Sequence, residues 1–127
     1  MRRHDLRQER ERADRDICRS YQQRTIDNIS SITITALNPN LSLGQKINAC
    51  LRAVYVSLDH FEKRFFRRGY TMYCNHVERE MFVNTILNII DNSDYMRRLH
   101  ELPNYDPLTT QIEFTYGIIR SKILTYS

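Results

Sequence analysis

The chain contains no tryptophan, and only three glycines (Gly44, Gly69, Gly117) and three prolines (Pro39, Pro103, Pro107) in 127 residues. So few backbone breakers leave few tight turns, which argues against a many-stranded sandwich and for a handful of long helices. Because the glycines are scattered, neither a phosphate-cradling glycine loop nor a nucleophile elbow can form. The zinc-protease spacing H-E-x-x-H is also missing. No stretch of about 18 apolar residues occurs, and the start Met1-Arg2-Arg3-His4-Asp5 carries no apolar leader. The chain therefore reads as neither membrane-spanning nor secreted by the usual route.

Cysteine is scarce too. Cys18, Cys50 and Cys74 form no C-x-x-C pair. An odd, sparse count without a leader predicts reduced thiols in an intracellular compartment, cytoplasm or nucleus. Asn28 and Asn40 open N-x-S triplets, which should go unused in such a place.

What the chain does have is charge. Lysine plus arginine number 19 against 15 acids, a net +4. That excess is mild for a dedicated nucleic-acid binder, although a local patch can suffice. Residues 2–24 hold eight arginines and five acids. Arg7/Glu11, Arg10/Asp14, Glu11/Arg15 and Arg12/Asp16 are opposite charges at i,i+4, which favours a solvated helix. Before Ile17 only Leu6 and Ala13 are apolar, so residues 1–16 have little to bury. They are expected to form a charged arm, solvated or partly disordered, that projects from a bundle over 17–127.

Helical periodicity organises the rest. Cys18, Tyr21, Thr25, Ile29, Ile32 and Ala36 form a first stripe, expected to run to about Leu37 before Asn38-Pro39-Asn40 stops it. The β-branched run Ile32-Thr33-Ile34-Thr35 is the competing strand. A second stripe, Ile47, Leu51, Val54, Leu58, Phe61 and Phe65, starts after Ser42 and should end near Arg68, with Gly69 as its C-terminal cap. Asn75 with Glu78 has capping-box spacing for a third helix, whose apolar positions are Val77, Met81, Phe82, Ile86, Ile89 and Ile90. A short helix through Tyr95, Met96, Leu99 and Leu102 follows an interruption at 91–94. Asp106-Pro107 then reads as cap and first residue of a last helix. Its stripe is Leu108, Ile112, Tyr116, Ile119, Ile123 and Tyr126, against an alternating strand reading at 112–118. The fold class is all-α, a small bundle of four to five helices.

Candidate chemistry is thin. Cys74, His76 and Glu80 offer three ligand types, but a structural zinc needs four donors and a catalytic one usually three. No spacing demands the remaining donor, so no metal, no cofactor and no catalytic residue is assigned. Cys50 sits beside Leu51 and Val54 as a small core hydrophobe. Ile47, Leu51, Val54 and Val56 match the spacing of leucine-rich export segments, as core helices constantly do.

The strongest functional signal is the knot Phe61-Glu62-Lys63-Arg64-Phe65-Phe66-Arg67-Arg68-Gly69-Tyr70. Interleaved aromatics and cations can stack bases and neutralise phosphates, yet Phe61 and Phe65 belong to the core stripe. Only Phe66 and Tyr70 are expected at the surface. The candidate contact residues for a nucleic acid or acidic partner are Arg2, Arg3, Arg7, Lys63, Arg64, Phe66, Arg67, Arg68 and Tyr70. The leading expectation is a non-enzymatic helical module that binds a protein partner or itself, since narrow stripes pack helices at small crossing angles. Nucleic-acid binding through the arm and the 63–68 cluster is the alternative. Nothing suggests a membrane or a small-molecule substrate. Shortness and the lack of catalytic motifs suit an accessory protein, viral or cellular.

Overall fold

The computed structural model describes residues 3–127, apart from the His4 side chain. Four long helices and two short ones form a bundle: α1 (Arg3–Ser30), α2 (Leu43–Phe61), α3 (Arg67–Tyr73), α4 (His76–Asp91), α5 (Asp94–Arg97) and α6 (Pro107–Leu124). A π-helical turn, Glu62–Phe66, joins α2 to α3, and single 3-10 turns lie at Ile34–Ala36 and Leu99–Glu101. No strand occurs among the described residues, so both strand readings are set aside. Among these residues no helix is long and apolar enough to cross a membrane.

Local chemistry accounts for the helix starts. Ser42 accepts from the Gln45 amide while the Gln45 side chain accepts from the Ser42 amide, a complete capping box for α2. Asn75 Oδ1 accepts from Glu78 N at 2.9 Å to open α4. Asp106 caps α6, with Pro107 as the first helical residue.

The second stripe is buried throughout, from Ile47 to Phe65, and α6 lies along α2 and closes over it. Helix α1 packs its C-terminal half on α2, α3 and α4 through Cys18, Gln22, Thr25 and Ile29. Upstream of Cys18 its described side chains are exposed except at Asp14, and it runs without a break through residue 16 as a charged, projecting helix.

Three expectations need correction. The first helix ends at Ser30, not near Leu37. Thr33 Oγ1 donates to the Asp94 carboxylate, and the Ile34 amide donates to the same group at 3.2 Å. This capture by a residue sixty positions away pulls the β-branched run out of the helix.

The expected stop at Arg68 is present: Gly69 adopts φ 150, a left-handed value outside helical winding, and a separate short turn then runs to Tyr73.

Secondly, Val77 and Met81 are solvent-facing at 62% and 64% exposure, whereas Val83 takes a core place. Helix α4 lies against α1 on one side and α6 on the other, and that sandwich sets its inward face.

Finally, Cys18 and Cys74 are not separate thiols. They are joined by a disulfide with Cα atoms 5.4 Å apart. Cys50 is free and buried. Burial, and next the Asp94 charge, push its thiol up to about 11, so little thiolate exists at neutral pH.

The bundle centres on Phe61, whose ring meets Phe65, Phe66, Tyr70, Phe82 and Tyr126 at centroid distances of 5.1–6.5 Å. Aromatic pairs at such separations add about 0.5–1.5 kcal/mol each beyond simple burial.

Candidate functional site

The π-helical turn decides the fate of the basic knot. One turn of α-helix spans 3.6 residues, but a π turn spans more and shifts the following side chains around the axis. With the turn and the break at Gly69 in place, Phe61, Phe65 and Tyr70 are buried together, and Phe66 is half-buried against Phe61, Tyr70 and Tyr126. Tyr70 is 1% exposed, and its hydroxyl donates to the Tyr126 carbonyl at 2.6 Å. The expectation that Phe66 and Tyr70 lie free at the surface is corrected: Tyr70 cannot stack a base, and Phe66 offers only one partly covered edge.

The cations of the knot do face solvent. Lys63 pairs with Asp59 at 3.0 Å, and its hydrogen bond holds the Asp59 carboxyl below the usual range. Arg64, Arg67 and Arg68 are exposed and have no carboxylate within ion-pair distance among the described residues. Arg3 and Arg7 project from the start of α1, and Arg7 Nε is 3.3 Å from Glu11. Arg2 lies outside the described residues.

Arg64 has a partner that the sequence reading missed. It lines a groove of about 220 Å³ between α1 and α2 with Tyr21, Arg24, Asn28, Ser57 and His60. No carboxylate lines this groove. Arg24 lies over the Tyr21 ring at 5.6 Å, and Tyr21 stacks on Phe65 at 4.5 Å, so the core aromatics position one wall. Arg24 belongs to the charged first helix and carries no local signal that separates it from its neighbours.

A second surface is apolar. Tyr55 and Val56 on α2, with Gln111, Thr115 and Ile118 on α6, line a groove of about 480 Å³ flanked by Asn48 and Arg52. Phe114, one turn before Ile118, is 68% exposed beside it. Lys122 Nζ sits 5.2 Å from the Tyr55 ring, over one wall of the groove. Val56 is thus the exposed member of the export-like spacing, while Ile47, Leu51 and Val54 are in the core.

The Cys74, His76, Glu80 trio does not come together. His76 Nε2 and Glu80 Oε1 face each other at 3.2 Å in solvent, whereas Cys74 is buried and bonded to Cys18. The carboxylate that does approach the sulfurs is Glu78. Comparison with family models, with curated proteins and with solved structures finds no match for this chain.

Proposed function

We propose that this chain is a non-enzymatic helical protein–protein interaction module that pairs with a second copy of itself through the α2–α6 face. The observation that carries the reading is the exposed apolar set Tyr55, Val56, Phe114 and Ile118 around one groove. Solvent-facing apolar side chains gathered around a concavity are a recurrent mark of docking surfaces. Scattered single ones are not. The face carries both a groove and, beside it, a protruding ring. Two copies related by a twofold axis can each seat Phe114 in the other's groove, which makes the surface self-complementary. Light scattering across a wide concentration range tests this. A concentration-dependent dimer that Val56→Asp with Ile118→Asp converts to monomer supports it, and a strict monomer for the unaltered chain ends it.

A second reading is favoured by the carboxylate-free groove at Arg24, His60 and Arg64, with Arg67 and Arg68 exposed further along the chain. These cations suit phosphates of a nucleic-acid backbone, bound by charge and without aromatic stacking. Fluorescence anisotropy with a single-stranded oligonucleotide should then show affinity falling steeply with salt. Arg24→Ala with Arg64→Ala should flatten that dependence, and unchanged binding by this double variant would assign the groove a structural role only.

A further inference from the structure

We propose that Cys18, Cys74 and Glu78 form, when the disulfide is reduced, a binding site for a zinc-class divalent metal that staples α1 to α4. Cys18 comes from α1, Cys74 from the extended residue after α3, and Glu78 from the first turn of α4. One ligand atom from each lies within 4.8 Å of the other two. Tetrahedral zinc with Zn–S near 2.3 Å sets its donors about 3.5–3.8 Å apart, so small side-chain rotations after the S–S bond opens suffice.

The Glu78 side chain gives an independent sign. Its Oε1 accepts from Asn75 Nδ2 at 3.2 Å, which orients the carboxylate. Its Oε2 is buried and has no hydrogen-bond partner among the described residues. A buried carboxylate oxygen without a donor is unfavourable, and a bound cation is one group that satisfies it. Glu78 stays in place because Asn75 and Gln22 tie its backbone, at 2.9 and 3.5 Å.

The charges also balance. Two thiolates and a carboxylate against a divalent cation leave one negative charge. Arg79, whose Nη1 donates to the Cys74 carbonyl at 2.6 Å, supplies the compensating positive charge beside the site. A cavity of about 520 Å³, lined by Cys74 and Glu78 on one side and by Asp14, Arg15 and Arg19 on the other, lets water take the fourth position. Three protein donors plus water is the arrangement of open zinc sites, so this staple keeps one exchangeable position instead of the four protein donors of a closed structural site.

The interconversion balances with a small-molecule thiol as reductant. Two thiol molecules reduce the Cys18–Cys74 bond and leave as their own disulfide, giving two protein thiols. The entering metal displaces one proton from each thiol as the two metal–sulfur bonds form. The site therefore exchanges a covalent staple for a metal staple according to redox state. This inference does not depend on the α2–α6 face or on the basic groove.

Cobalt(II) titration of the full chain tests it. Protein reduced with a phosphine under anaerobic conditions should take up one equivalent, with thiolate-to-cobalt charge-transfer absorption that zinc abolishes. The oxidised chain should show none, a comparison that needs no variant. Cys50→Ser should bind like the unaltered chain, Cys18→Ser should lose the charge-transfer band, and Glu78→Gln should weaken binding at least about tenfold. Reduced, helical protein that takes up no cobalt overturns the proposal. So does binding that survives Cys18→Ser but is lost with Cys50→Ser, or binding that Glu78→Gln leaves unchanged.

Discussion

The hydroxyl of Tyr126 donates to Glu62 Oε1 at 2.8 Å, while Lys122 Nζ holds Glu62 Oε2 at 2.6 Å. The first residue of the π-helical turn is thereby bound to the last turn of α6 and to the residue that follows its C-terminal cap, sixty and more positions away. Burial, together with the Glu62 carboxylate, pushes the Tyr126 phenol far above its ordinary range, so it stays a neutral donor. Removing Glu62 strands both partners. Glu62→Ala should destabilise by about 2–3 kcal/mol, and Tyr126→Phe by about 1 kcal/mol, because Glu62 then keeps Lys122. Urea unfolding followed by circular dichroism measures both, and equal losses would show that the lysine contributes nothing.

Gly69 has φ 150, and a Cβ there would lie 2.8 Å from Tyr73 Cε2. Gly69→Ala should therefore cost about 1–3 kcal/mol through backbone strain and displacement of Tyr73. Gly117 has nothing within 4 Å of such a Cβ and sits inside α6. Gly117→Ala should stabilise by about 0.5–1 kcal/mol, since alanine is the better helix former. A pair of thermal melts compares the two directly.

Reduction of Cys18–Cys74, a link across 56 positions, should lower stability by about 4 kcal/mol on the chain-entropy account. Thermal melts of Cys50→Ser, oxidised against reduced, report this without interference from the third thiol. An unchanged midpoint would mean that α1 stays docked by packing alone.

Alkaline pH probes the buried phenols. Burial pushes Tyr70 up to about 12 and Tyr95 up to about 12. An unfolded tyrosine ionises near 10, so between about pH 10 and 12 the unfolded state binds fewer protons than the folded one. Stability should be fully present below pH 10 and fall as pH rises through that window. Urea midpoints measured from pH 8 to 12 should show a downward slope that Tyr70→Phe makes shallower. A flat profile would mean both phenols reach water.

Much of the architecture was legible from short-range chemistry. The caps at Asn75 and Asp106-Pro107 and the stripe from Ile47 to Phe65 depend on residues within one or two turns, and the chain shows them as spaced. The knot at 61–70 was visible as a basic-aromatic segment, and Lys63, Arg64, Arg67 and Arg68 do lie at the surface. The burial of Tyr70 was not visible, because a π turn carries no spacing of its own and exists here where the aromatic cluster around Phe61 rewards it.

The sequence by itself determined that this chain is helical, where most of its helices begin, and which stripe builds the core, because periodicity and capping are local. Tertiary structure alone decided that Cys18 meets Cys74, that Asp94 ends the first helix early, that Val77 and Met81 face water, and that Arg24 shares a groove with Arg64. Each of those outcomes depends on how one helix is rotated against another, and that rotation is set by packing between residues distant in the chain.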